Sequence, residues 1–344
     1  MEVRGLLLVA CVLAGCSSNS SSNASNPAGS SVGADAGTSA APTTPVQIAA
    51  TAQSIYQTEP TVAIAPNGTV AVAWLDLEPA TATVGFAFSQ DRGDTWGDSQ
   101  LMTLPNGAFA SNEILVADPQ SNFYLVTLAV SSDQTSSKVL VAKAAAGQST
   151  FGPLIEASNP ASPLPRDASA MSIAQDQSLN VVYAEYADTT YQTSIVVSSR
   201  STDGGATWTR TPLNTQGAFG WTNGCASRTS EKVAAVFLDY TKEDASVRWS
   251  DDNGATWPEA NETDISPDEN PGEFPSCVAD GTDLWLLQGV THEQASTTVE
   301  PTLDGIKLSH SSDGGHTFDP AVMAQDPAAG SKYMRSLATV QGDG

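Results

Sequence analysis

Basic residues and histidines are scarce in this chain. Its 344 residues hold 14 Lys and Arg against 38 Asp and Glu, a formal net charge of −24. A field of that sign repels phosphate backbones and anionic lipid, which sets nucleic acid aside as a partner. The three histidines, at 292, 310 and 316, show no metal-ligand spacing. Cysteine is also sparse, at 11, 16, 225 and 277 only. None has a histidine at ligand spacing, so neither a metal cluster nor a cysteine nucleophile is suggested, and no motif asks for a cofactor. Long apolar runs are missing too, apart from Leu6 to Leu13, which is too short to span a bilayer. What remains is an ordinary apolar content of 40%, enough for one large all-β domain or two smaller ones. The excess acid reads first as a well-solvated surface and second as sites for cations.

The N-terminus reads as a targeting segment and is set apart from the fold. Arg4 supplies a short basic region, and the apolar stretch ends in Leu13-Ala14-Gly15-Cys16. This resembles a bacterial lipobox. The resemblance implies a signal peptide over 1–15, cleavage before Cys16 and a lipid on that cysteine, which attaches the chain to a membrane. Ser17 rather than Asp follows, which by the same analogy favours the outer membrane of the cell envelope. An ordinary cleaved signal peptide is the alternative. Residues 16–45 are almost all Ser, Ala, Asn, Gly, Thr and Pro. Such a segment cannot bury enough apolar surface to offset its chain entropy, so it reads as a flexible tether.

Repeats organise the rest, residues 46–344. Four segments share Ser-x-Asp-x-Gly-x-Thr-aromatic: Ser89–Trp96, Ser201–Trp208, Ser250–Trp257 and Ser311–Phe318. A hairpin loop needs glycine where the backbone turns through positive φ. Ser and Asp accept hydrogen bonds from loop N–H groups, and the aromatic is available for packing between sheets. Between the first two copies, Gly147-Gln-Ser-Thr-Phe151 looks like a degenerate copy without its Asp. A second pattern keeps the same period of roughly 50–60 residues: a short strand, a turn and a stronger apolar strand, at 60–75, 112–129, 168–185, 224–239 and 275–290. A third strand precedes each box, and the box turns it into a fourth.

The motif resembles the Asp box of bacterial neuraminidase-like (BNR) repeats, and the chain is similar to the sialidase superfamily. That resemblance implies an all-β fold, a six-bladed β-propeller of the sialidase type with four antiparallel strands per blade. It also implies that Asp91, Asp203, Asp252 and Asp313 are structural and peripheral; catalytic or metal-ligating roles for them are the alternative. Residues 335–344 read as a sixth innermost strand, and Val46–Thr51 as an outer strand that would close the ring. The last blade is therefore expected to be incomplete. Cys225 and Cys277 fall on innermost strands of adjacent blades, at what reads as the same position, so a disulfide is expected in an oxidising compartment. Two free buried thiols are the alternative.

Sialidases of this fold use an arginine triad for a carboxylate, a Tyr–Glu nucleophile pair and an Asp acid/base, all over the propeller axis. A planar guanidinium grips a carboxylate bidentately, and Tyr tolerates the charge of an activated nucleophile. This chain departs from the pattern. Of its eight arginines, only Arg166 and Arg335 enter an innermost strand from the expected loops. If it is a glycoside hydrolase, Arg166 and Arg335 would hold the carboxylate, Tyr186 or Tyr240 would be the nucleophile, and Asp167 or Asp76 the acid. Glu59, Glu113, Trp221, Asn223, Glu273 and Tyr240 are expected to line a binding mouth, which a solvated rim would mimic. The incomplete catalytic set favours a non-catalytic module on the cell envelope. Its ligand, a glycan or a protein, would bind at the propeller mouth, and its membrane contact would run through the N-terminal lipid only. A scaffold for protein assembly is a third reading.

Overall fold

The structure is a computed structural model that describes residues 48, 56–78, 81–215, 217–240, 242, 244–265, 275–290 and 305–323. Among these described residues, twenty strands form five four-stranded antiparallel sheets, each with its strands in chain order. The first sheet contains β1 (Tyr56–Ile64), β2 (Val70–Glu78), β3 (Thr81–Ser89) and β4 (Gln100–Leu101). The second contains β5 (Phe109–Ala117), β6 (Phe123–Val130), β7 (Ser137–Ala144) and β8 (Ile155–Glu156). The third contains β9 (Arg166–Ile173), β10 (Leu179–Tyr186), β11 (Ser194–Ser201) and β12 (Thr209–Pro212). The fourth contains β13 (Phe219–Ala226), β14 (Val233–Asp239), β15 (Asp244–Ser250) and β16 (Glu262–Asp264). The fifth contains β17 (Ser276–Asp280), β18 (Asp283–Val290), β19 (Gly305–Ser311) and β20 (Val322–Met323). Successive sheets meet through their first strands, β1 on β5, β5 on β9, β9 on β13 and β13 on β17. These are the innermost strands, and each sheet is a blade.

The second strand of each blade is sandwiched on both faces, which explains its composition. β14 reads Val-Ala-Ala-Val-Phe-Leu-Asp and is buried throughout. A continuous apolar run, rather than strict alternation, is what a strand covered on both faces requires. Alternate residues then serve opposite seams. Val233, Ala235 and Phe237 face the third blade, while Ala234 and Val236 face the fifth. The turns joining first and second strands carry the expected Asn or Asp. Asn67 Oδ1 accepts from Thr69 N, and Asp118 Oδ1 from Asn122 N.

All four Asp boxes have one geometry. In the first, Thr95 donates from N and Oγ1 to the two oxygens of Asp91, at 2.8 and 2.6 Å. Ser89 Oγ donates to Asp91 Oδ1 and accepts from Gly93 N. Gly93 sits at φ +97°, where a Cβ would be strained. The same bonds recur around Asp203, Asp252 and Asp313. Bonds from Thr95, its backbone and Ser89 hold the Asp91 carboxyl down at about 2. Thr207 and Ser201 do the same for Asp203, also at about 2. Burial would raise Asp252 and Asp313, but the box hydrogen bonds outweigh it and lower both. The box aromatics close the seams: Trp208 packs into the second–third seam, Trp257 into the third–fourth and Phe318 into the fourth–fifth. Phe151 of the degenerate copy fills the first–second seam and meets Phe86 at 5.0 Å.

Cys225 and Cys277 are joined, with Cα atoms 5.7 Å apart. The expectation that they share one strand position needs correction. Counting from the box serines through the pairings, Cys277 matches Gly224, one residue before Cys225. The offset is what permits the bond. A one-residue step turns a side chain to the other face of the sheet. Cys225 therefore faces the fifth blade while Cys277 faces the fourth, inside one apolar cluster. Residues 46–51, apart from residue 48, and 335–344 lie outside the described residues, as do Cys16, the 1–15 signal and the 16–45 tether.

Candidate functional site

The innermost strands begin earlier than the repeat pattern suggests, because each of the first four carries a bulge near its start. In β1, Thr58 pairs with Leu75 but Thr61 with Ala73, leaving Glu59 and Pro60 opposite Trp74 alone. In β5 the extra residue is Asn112, between Ser111 and Glu113. In β9, residues 168–169 face Tyr183, and in β13, Trp221 and Thr222 face Phe237. All four bulges sit at one level, around one end of the axis. Glu59 and Asn112 have φ values of +53° and +51°, which non-glycine residues adopt at a cost. Bulges re-aim side chains and concentrate beside functional sites. This ring is the candidate site.

The opposite end of the axis is crossed from below. Arg228, in the turn after β13, donates through Nη2 to the carbonyl of Ala117 at the end of β5, two blades away, at 2.6 Å. The bulged end is taken as the candidate mouth.

Glu59, Trp221 and Asn223 stand in the bulges or directly after them. Glu113 follows Asn112 and is buried. Tyr240, 37% exposed, closes β14 and lies against β13. A Cβ on Gly220 would fall 2.8 Å from Tyr240 Cε2, so the absence of a side chain there lets the ring settle on the strand. Tyr186 and Tyr191 meet edge to face at 4.9 Å. Tyr191 Oη donates to the carbonyl of Gln134, tying the loops of the second and third blades. Burial pushes the Tyr186 phenol well above its ordinary value, and the charges of Asp167, Tyr240 and Tyr191 push it further. The structure therefore brings Tyr186, Asp167 and Tyr240 together, with Tyr191, which sequence reasoning missed. The signal was there: Tyr191 follows Tyr186 by five positions in a short loop. Glu273 and Arg335 lie outside the described residues.

Arg166 departs from the role expected of it. It is 3% exposed. Its Nε donates to Glu185 Oε2 at 3.1 Å, Nη1 to the carbonyl of Ser137, and Nη2 to those of Asn159 and Ser162. Arg210, from the outer strand β12, reaches Glu185 Oε1 at 2.8 Å and the Tyr183 hydroxyl at 3.1 Å. Glu185 is thus held between two guanidiniums. The cluster staples the third blade to the second, and the Arg166 fork has no face turned to a ligand. The Glu185–Tyr186 pair splits across the strand for the same reason that adjacent residues of any strand do.

Comparison with known proteins follows the architecture. No family model and no curated protein sequence matches the chain. Among solved structures, a Hadza microbial sialidase, Hz136, superposes with a TM-score of 0.56 at 14% identity, over 80% of this chain and 60% of that one. The fold is the sialidase-type β-propeller. Trypanosoma rangeli sialidase in complex with sialic acid gives 0.52 at 14% identity, over 74% of this chain and 46% of its own. Penicillium chrysogenum α-L-arabinanase complexed with arabinobiose gives 0.52 at 16%, over 79% and 81%. The propeller spans about half to three fifths of the length of these two sialidases.

Proposed function

We propose that the propeller binds a glycan at its bulged mouth without hydrolysing it. The observation that carries this reading is the commitment of Arg166 to Glu185 and three carbonyls inside a blade seam. Arg166 is the one arginine of the described innermost strands, and its fork is spent on the fold. The Tyr186 phenol, pushed upward, is suited to donate a hydrogen bond and poorly suited to attack. The exposed Tyr56 and Tyr240, with the half-buried Glu59 and Asp167 beside the strained bulges, suit sugar recognition, and the sialidase and arabinanase similarities in fold support a glycan ligand. In this reading a lipid on Cys16 holds the chain on the cell envelope, and the 16–45 tether presents the mouth. Calorimetry against an oligosaccharide panel, beside a turnover assay with a fluorogenic sialoside, tests it. Saturable binding with no turnover is the expected result. Turnover abolished by Tyr186→Phe would replace it with the second reading, a sialidase-class hydrolase, which the closeness of Tyr186 and Asp167 favours. Binding of a protein partner with no oligosaccharide response would also overturn it.

A further inference from the structure

The rim of the propeller carries a second concave surface, built on outer strands rather than innermost ones. Between β4 of the first blade and β8 of the second opens a cleft of about 570 Å³, a size common among small-molecule sites. Phe86 of β3, Met102 just after β4 and Leu140 of β7 line it, and all three are buried. Phe151 of the degenerate box lines it too, its ring edge to face with Phe86 at 5.0 Å. The repeat explains why space is left here. Trp208 and Trp257 close the next two seams with an indole, whereas this seam receives only the smaller phenyl ring of Phe151. A shorter ring leaves the side chains around it short of partner atoms on one side. Gln100 crosses the same seam, donating from Nε2 to the carbonyl of Ser149 at 2.8 Å. The blades are thus already tied together with the cleft between them. Leu101, 41% exposed, stands at its lip. One corner is polar. Lys138 gives one N–H to Glu156 Oε2 at 2.7 Å, and Ser158 Oγ donates to Glu156 Oε1 at 2.9 Å. An ammonium has three donors, so Lys138, its side chain 49% exposed, keeps donors without an acceptor among the described residues.

We propose that this cleft binds a small aromatic ligand, one ring system with a short arm that ends in a carbonyl or carboxylate oxygen. Phe86, Phe151 and the Met102 thioether select a ring over an aliphatic chain, because aromatic edges and sulfur both gain from contact with a π system. The ring takes the space that an indole takes in the next two seams, and Lys138 donates to the oxygen of the arm. The site is separate from the bulged mouth and does not depend on the glycan reading.

The test is an NMR titration of the purified full chain with four probes: indoleacetamide, indoleacetate, indole without an arm, and hexanamide without a ring. Indoleacetamide or indoleacetate, whichever arm the corner prefers, is expected to saturate one site. It should bind about three- to tenfold more tightly than hexanamide, the margin of an aromatic contact. Its advantage over indole should be about tenfold, and Lys138→Met should remove it, because the lost hydrogen bond is to a charged donor. Phe151→Trp builds into the cleft the indole that the next two boxes carry, and should abolish binding of the probes while the protein stays folded by circular dichroism. Leu101→Arg lays a long side chain across the lip from an exposed position and should abolish it as well, which keeps the test decisive if Phe151→Trp does not fold. Failure of both indole acids and amides to bind the folded protein would overturn the proposal, as would binding that Leu101→Arg leaves unchanged. Equal binding of hexanamide or of bare indole, or unchanged binding in Lys138→Met, would overturn the ligand class assigned to the cleft.

Discussion

A guanidinium buried among four acceptors cannot be removed without leaving those acceptors, and a carboxylate, short of donors. Arg166→Ala is expected to cost about 3–5 kcal/mol in urea unfolding, because Glu185 would remain buried with one partner fewer. Arg166→Lys should recover only part of that loss, since an ammonium cannot reproduce the planar fork. The box aspartates carry a different signature. Asp91 and Asp203 are held at about 2 in the folded chain, against about 4 for an unconstrained aspartate. Their contribution is complete above about pH 4 and fades as pH falls toward 2. Acid titration followed by circular dichroism should show an unfolding limb in that window, and Asp203→Asn should flatten it. The box residues were legible in the sequence because every partner lies within four positions. The fate of Arg166 was not. Its partners lie 4, 7, 19 and 29 residues away and are brought together only when two blades dock.

Strand order, turns and box positions could be read from the repeat, because each is a local pattern of hydrophobicity and turn residues. The bulges could not be read, since an extra residue on one strand is defined only by what the partner strand omits. Their consequence can be tested at Gly220. Gly220→Ala places a methyl against the Tyr240 ring. It should displace that ring and weaken ligand binding with little loss of stability, as read by calorimetry and urea unfolding on the same sample. The disulfide belongs to this scale too. It was expected from the neighbouring innermost strands, but its one-residue offset was not, because the residue count that fixes the facing direction depends on the register within each blade. Cys225→Ser with Cys277→Ser opens a loop of 52 residues, and the double variant should lose ~4 kcal/mol in the chain-entropy model.

Across the whole molecule the charge of −24 sets a background of self-repulsion. Added sodium chloride should raise the melting temperature until screening is complete, which differential scanning calorimetry can follow. The seams give the molecule its polarity. From the second blade to the fifth, each blade sends its own box aromatic toward the blade before it. The first blade presents the same face with Val62 and Ile64, 60% and 69% exposed. Their counterparts Leu115 and Ala117, and Met171 and Ile173, are core residues of the next two blades. Stability in such an array is close to a sum of blade and seam contributions.

The covalent bond between Cys225 and Cys277 divides that array unequally, and a pulling force would feel the division. Stretched from its two ends, the molecule would give up blades one at a time as their dry seams shear. The segment between the cysteines, a separation of 52 positions, could not lengthen at all, which withholds on the order of 180 Å of contour. A single-molecule trace in reducing buffer should be longer by that amount than one in oxidising buffer. Were the proposed lipid on Cys16 to hold the chain to a surface, the fourth and fifth blades would be the part that strain leaves joined.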